Sequence, residues 1–98
     1  MTAPVRDFLF ISVRGPTAKE IMTHVATRHG LTVEQMLAAK RKKTLAHARH
    51  EAMWEIRQRT KLSLPNIARI MSLKDHTTVL HGVRAHERRL AEAQRRAA

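Results

Sequence analysis

The feature that most narrows the fold of this chain is a pair of helix starts set close together in its C-terminal half. In Leu62-Ser63-Leu64-Pro65-Asn66-Ile67-Ala68, Ser63 is a good N-cap, and Pro65 falls in the first turn, where its missing N–H is not needed. Ile67, Ala68, Ile70 and Met71 supply the apolar face expected of that helix. Ser72-Leu73-Lys74 reads as a turn. Asp75 then caps a further helix expected to run to about Ala93, with Val79, Leu80, Val83 and Leu90 facing inward. Two helices joined so tightly make a helix-turn-helix, and the second opens on four polar residues, Asp75, His76, Thr77 and Thr78. In that motif the first turn of the second helix enters the major groove of duplex DNA.

The upstream sequence is helical by the same criteria. Thr17 followed by Glu20 has the capping-box spacing, Ala18, Ile21, Met22 and Val25 recur at helical intervals, and Gly30 stops the helix. Thr32 caps a short second helix carrying Val33, Met36 and Leu37. Residues 39–44 form a basic linker containing Lys40-Arg41-Lys42-Lys43. A third helix is expected from about Leu45 to Thr60, with Leu45, Ala48, Ala52, Met53 and Ile56 on one side and Trp54 at the core edge. The expected fold is all-α: a compact domain of about five helices over residues 17–98, preceded by a short apolar arm over residues 1–16. The arm carries Phe8 and Phe10 within Asp7-Phe8-Leu9-Phe10-Ile11-Ser12-Val13. It can form a short strand, lie over the core, or contact another copy or another protein through residues 5–13.

Charge decides the class of partner. Nineteen Lys and Arg against eight Asp and Glu leave a formal charge of +11. Such an excess favours a polyanion, because each phosphate neutralised releases condensed counterion. Only three aromatics in the chain argue against single-strand binding by base stacking, so duplex DNA fits better. The chain has no cysteine, which removes disulfides and thiolate metal sites. The apolar run from Phe8 to Val13 is too short for a signal peptide or a membrane span. A cytoplasmic, nucleoid-associated protein is the expectation.

At the start of the last helix the chemistry suits base edges. Asp75 would be repelled by backbone phosphates unless it also accepts a bond, as from a cytosine amino group. Its capping of its own helix is compatible with that role and is a sufficient reason for the residue by itself. His76 can donate or accept at a base or phosphate. Thr77 and Thr78 offer hydroxyls for hydrogen bonds and methyls for thymine.

The ordered string Asp75-His76-Thr77-Thr78-Val79-Leu80-His81 after a Ser63-Leu64-Pro65 helix resembles the C-terminal DNA-binding domain (domain IV) of the DnaA-type bacterial replication initiators. The resemblance spans about residues 17–93. It implies that Arg41 enters the minor groove, with Lys42 and Lys43 beside it in the basic segment. It implies that Asp75, His76, Thr77 and Thr78 enter the major groove, close to His81. It further implies that Arg49 supports phosphate binding, that Leu64-Pro65, next to the Ser63 cap, lies against the backbone, and that Lys74 stands where the family normally has Arg. Ser72-Leu73 replace an often glycine-rich turn, and His50-Glu51 replace a Gln and a small apolar residue. Lys cannot reproduce a bidentate guanidinium contact, so the expected target is related to the family's asymmetric TTATNCACA box without having to equal it. Gly-x-x-x-x-Gly-Lys-Ser/Thr, the loop that cradles nucleotide phosphates, is absent. The reading is therefore a DNA reader without ATPase activity: a transcription regulator, a competitor for origin boxes, or an accessory factor.

Other functions are weaker fits. His47 and His50 stand at i, i+3, but no cysteine or carboxylate completes an established metal spacing, and no cofactor is expected. Ser72, Asp75 and His76 are neighbours in a turn and not a catalytic triad, so no enzymatic activity is expected. A non-specific or RNA-binding basic helical module, nucleoid-associated or antitoxin-like, would use the same charge, although the A-form major groove is too narrow for a recognition helix. The 84–96 segment lacks the bulky apolar face that would hold it on a membrane.

Overall fold

The computed structural model describes residues 15–38 and 40–97; residues 1–14 of the arm expected over residues 1–16 lie outside the described residues. The described chain is all-α, in five helices: α1 (Ala18–Arg28), α2 (Val33–Leu37), α3 (Lys43–Arg59), α4 (Leu64–Ile70) and α5 (His76–Ala97).

Helix starts follow the local chemistry closely. Thr17 accepts from the Glu20 N–H at 3.2 Å while its own N–H donates to Glu20 Oε1 at 2.8 Å, a complete capping box. Thr32 and Gln35 repeat the arrangement at α2, at 3.1 and 2.9 Å. Ser63 accepts from the Asn66 N–H at 3.3 Å, and Pro65 occupies the first turn of α4. α3 differs. It begins at Lys43, two residues before the expected start, and Lys42 at its N-cap makes no side-chain capping bond.

Two helix ends are closed the same way. After α1 the Gly30 N–H donates to Thr27 O at 3.0 Å and the Leu31 N–H to Ala26 O at 2.8 Å. After α4 the Ser72 N–H donates to Arg69 O at 3.1 Å and the Leu73 N–H to Ala68 O at 2.7 Å. Both are Schellman motifs, and both place a leucine, Leu31 or Leu73, against the core. The motif needs a left-handed residue at its centre. Gly30 takes it at φ 71° without strain, whereas Ser72 takes it at φ 60° and is the one non-glycine residue with positive φ among those described.

α3 is the hub, packing on all four other helices, while α5 lies across α3 and α4. The core joins Ile21, Met22 and Val25 of α1, Met36 of α2, Ala48, Ala52, Met53 and Ile56 of α3, Ile67 and Ala68 of α4 with Met71 after it, and Val79 and Val83 of α5. It is aliphatic and methionine-rich, with Trp54 half-buried at its edge and 5.1 Å from the His86 ring. Gly82 sits where α5 crosses α3. A Cβ there would overlap Met53 Sδ and lie 3.0 Å from His50 Cδ2, so the crossing depends on the missing side chain.

Three expectations are corrected. Ile70 is 38% exposed, because α4 has only two turns and Ile67, Ala68 and Met71 already fill its inward side. Leu90 is 39% exposed although it shares the Val79–Val83 stripe: no α5 residue beyond Val83 is buried, so the stripe outruns the surface it packs on. The last helix runs beyond its expected end near Ala93 and stays helical to Ala97, with Glu92 paired to Arg95 and, at 3.9 Å, to Arg96.

Candidate nucleic-acid interface

The first turn of α5 is presented by one buried residue and four exposed ones. Val79 is fully buried and anchors the helix; Asp75, His76, Thr77 and Thr78 are all exposed. Asp75 Oδ1 accepts from the Thr77 N–H at 2.9 Å, and its backbone carbonyl accepts from the Thr78 N–H at 3.1 Å. The Thr77 N–H, helped by the Thr77 hydroxyl and by His76 and His81, holds the Asp75 carboxyl below the usual range. The cap is present, and it leaves the His76, Thr77 and His81 side chains facing solvent. His76 Nδ1 stands 3.7 Å from Asp75 Oδ1.

A crevice of about 280 Å³ joins the start of α4 to the start of α5, lined by Pro65, Ala68, Arg69, Leu73, Lys74 and His76. It brings together three residues singled out in the sequence, Pro65, Lys74 and His76. Arg69 is an addition. It lies four residues after Pro65 on the same helical face and is oriented by Asn66 Oδ1, which accepts from its Nη1 at 3.1 Å. The i, i+3 pairing of Asn66 with Arg69 was the signal that could have found it. Ser63 and Leu64 form the cap and first residue of α4, Ser63 exposed and Leu64 half-buried.

Lys40, Arg41 and Lys42 form an exposed connection between α2 and α3, and Lys43 begins α3 with its side chain exposed. Arg49 lies behind this connection. Its Nη1 donates to Met36 O at 2.9 Å and Ala38 O at 3.1 Å, and its Nη2 donates to Lys40 O at 3.3 Å. One guanidinium thus gathers three carbonyls from the end of α2 and the basic loop. The planar five-donor fork suits this task and a lysine does not. The sequence could not signal this, since the partners are backbone atoms that any residues would provide.

His50 and Glu51 are engaged internally. Arg89 Nη2 donates to His50 Nδ1 at 3.0 Å; burial, then the charges of Arg89, His47 and Arg49, push the His50 pKa down to about 4. Burial disfavours ionised Glu51, but hydrogen bonding to His29 and the charge of Arg28 outweigh it and hold its pKa low. Glu51 accepts from Arg28 and sits 2.7 Å from His29 Nε2, while Glu55 accepts from Arg28 at 2.7 Å and faces Arg59 at 3.7 Å. These carboxylates are spent tying α1 to α3. On α5, Thr77, His81, Arg84 and Arg88 are exposed at spacings that share one helical face, so the polar first turn continues into a basic ridge. The ridge is legible in the spacing once the helix is known to be continuous. Among the described residues no His, Asp and Glu group could hold a metal ion, and no helix is long and apolar enough to cross a membrane.

The match to a known family decides the assignment. Residues 18–85 match the family described as the bacterial dnaA protein helix-turn-helix. The chain belongs to this DnaA helix-turn-helix family. The matched span starts at the first residue of α1 and stops just after Val83, where α5 ceases to be buried. Similar proteins include the chromosomal replication initiator protein DnaA of Cereibacter sphaeroides, 40% identical over 87% of this chain and 19% of that protein. The DnaA of Ruegeria pomeroyi is 37% identical over 90% of this chain and 19% of its own length. That of Caulobacter vibrioides is 40% identical over 78% and 16%. The chain therefore spans about a fifth of these curated relatives. No solved structure shows a significant likeness. A helix-turn-helix of this family implies DNA binding.

Proposed function

We propose that this protein binds double-stranded DNA sequence-specifically, reading a DnaA-box-like site and acting as a regulator of transcription or replication without ATPase activity. One observation carries the reading: α5 is seated by Val79 so that its first turn presents Asp75, His76, Thr77 and Thr78 to solvent, alongside Pro65 and Lys74 at the α4–α5 crevice. In this reading the first turn of α5 enters the major groove, with Asp75 both capping and accepting from a base. Arg41 reaches the adjacent minor groove. Lys42, Lys43, Lys74 and His81 meet phosphates, and Ser63, Leu64 and Pro65 lie along the backbone. Arg49 supports phosphate binding indirectly, by holding the loop that carries Arg41. The helix dipole of α5 assists by directing its positive end toward the phosphates. Action in the cytoplasm, at the nucleoid, follows from the partner.

Selection of bound sequences from a random duplex library at near-physiological salt tests this. An asymmetric DnaA-like box is the expected result and identifies a monomeric reader that competes with or assists a full initiator. A palindrome would replace it with a dimeric regulator. Absence of any motif would overturn sequence-specific reading in favour of a non-specific or RNA-binding module, for which the +11 charge alone is sufficient.

A further inference from the structure

An open apolar groove of about 570 Å³ lies between the start of α1 and the end of α4. Pro16 and Ala18 form one wall, Leu62 and Ile70 the other, and Lys19 and Lys61 add their side chains to its lining. Ile70 is one of only two large hydrophobic residues exposed among those described. Nothing in the DNA-reading surface uses this groove. Pro65 of α4 lines the crevice at the start of α5, whereas Ile70, at the other end of the same helix, lines the groove.

We propose that the groove is the docking site of the chain's own segment Phe8–Val13. Two observations select this occupant over a second copy or a foreign partner. First, Pro16 is itself a wall of the groove, so Val13 is tethered three residues from it. Such a tether makes docking intramolecular, at an effective concentration on the order of millimolar. Second, the segment holds Phe8, Leu9, Phe10, Ile11 and Val13, including both phenylalanines of the chain. Reach is sufficient. Six residues from Pro16 to Phe10 span up to about 20 Å extended, and α4 is only about 10 Å long.

The absence of cysteine makes a direct test clean. In the full chain, the double variant Phe10→Cys/Ile70→Cys is oxidised at low micromolar concentration and run on a non-reducing gel. An intramolecular disulfide in the monomer is expected. A disulfide-linked dimer would assign the groove to a second copy, and two free thiols would leave it without this occupant; either overturns the proposal. A thermal cycle then separates docking from chance encounter of a tethered arm. Ile70→Ser and Phe8→Ser/Phe10→Ser should each lower Tm by about 4–8 °C, and all three together no more than either alone. Additive shifts, or no shift from the phenylalanine pair, overturn the proposal. Ile70→Ser alters an exposed position, so loss of the fold does not obscure the result.

Discussion

The two Schellman turns in this molecule do the same geometric work with different residues. The one after α1 uses Gly30 at φ 71° and belongs to a half whose helices begin with two complete capping boxes. The one after α4 uses Ser72 at φ 60° and leads into α5, whose opening is exposed and capped by Asp75. The basic loop resembles the second region, since it runs into a helix with no side-chain cap. The α1–α2 half satisfies its backbone with its own side chains. The half proposed to meet DNA keeps strain and exposed polar groups, and a distant side chain, Arg49, holds its loop in place. Local satisfaction favours stability, whereas groups left toward solvent can be completed by a ligand.

The largest effect should come from cutting the tie between the two halves. Arg49→Ala removes donors to three carbonyls and should lower DNA affinity about 10–100-fold, with hydrogen-exchange protection lost chiefly over residues 36–42. Arg49→Lys should recover only part of it. Unchanged loop protection with an altered salt slope would make Arg49 a phosphate contact and not a positioning residue.

Next come the groups facing solvent. Arg41→Ala and His76→Ala should each cost about 1–2 kcal/mol on the best site and relax selection at different positions within it. Uniform loss on every sequence from both would remove the two-groove arrangement.

Exchanging the turn residues makes the comparison itself testable. Ser72→Gly should stabilise the fold by about 1 kcal/mol, and Gly30→Ser should destabilise it by a similar amount. Denaturant midpoints measure both. Loss of stability in Ser72→Gly would mean that the serine makes a contact worth more than its strain.

The remaining effect is in pH. His50 is kept neutral in the fold down to about pH 4, whereas an unfolded histidine takes up its proton near 6.5. The unfolded state therefore binds more protons between these values. The contribution is complete above about pH 6.5 and is lost as pH falls toward 4. His47 and His86, both lowered by burial first, act in the same direction. The Tm of the wild-type chain should fall over this window, and His50→Gln should flatten the fall.

The caps at Thr17, Thr32, Ser63 and Asp75 were legible because each concerns bonds within three residues. The core stripe of α3 was legible because its neighbours cover that side throughout. Ile70 and Leu90 were misplaced for the complementary reason: periodicity gives the direction of a side chain but not where the adjoining helix ends. Arg49 shows another boundary, since its three acceptors carry no side-chain signature. The residues proposed for the interface follow from their order in the sequence, but their mutual support depends on the packing of α2 and α3.

Gly82 gives position 82 an unusual leverage. Because α5 rests on the Met53 side chain at this point, a residue larger than Met53 can yield to would tilt the helix off α3 as a lever tilts over a fulcrum. Thr77 is only about 7.5 Å along the axis from that fulcrum, so a tilt there re-aims the whole first turn. Gly82 has no reach to any base, yet its size sets the depth at which Asp75, His76, Thr77 and Thr78 are offered. Under the proposed reading, substitutions there would retune DNA recognition mechanically while leaving these four side chains as they are.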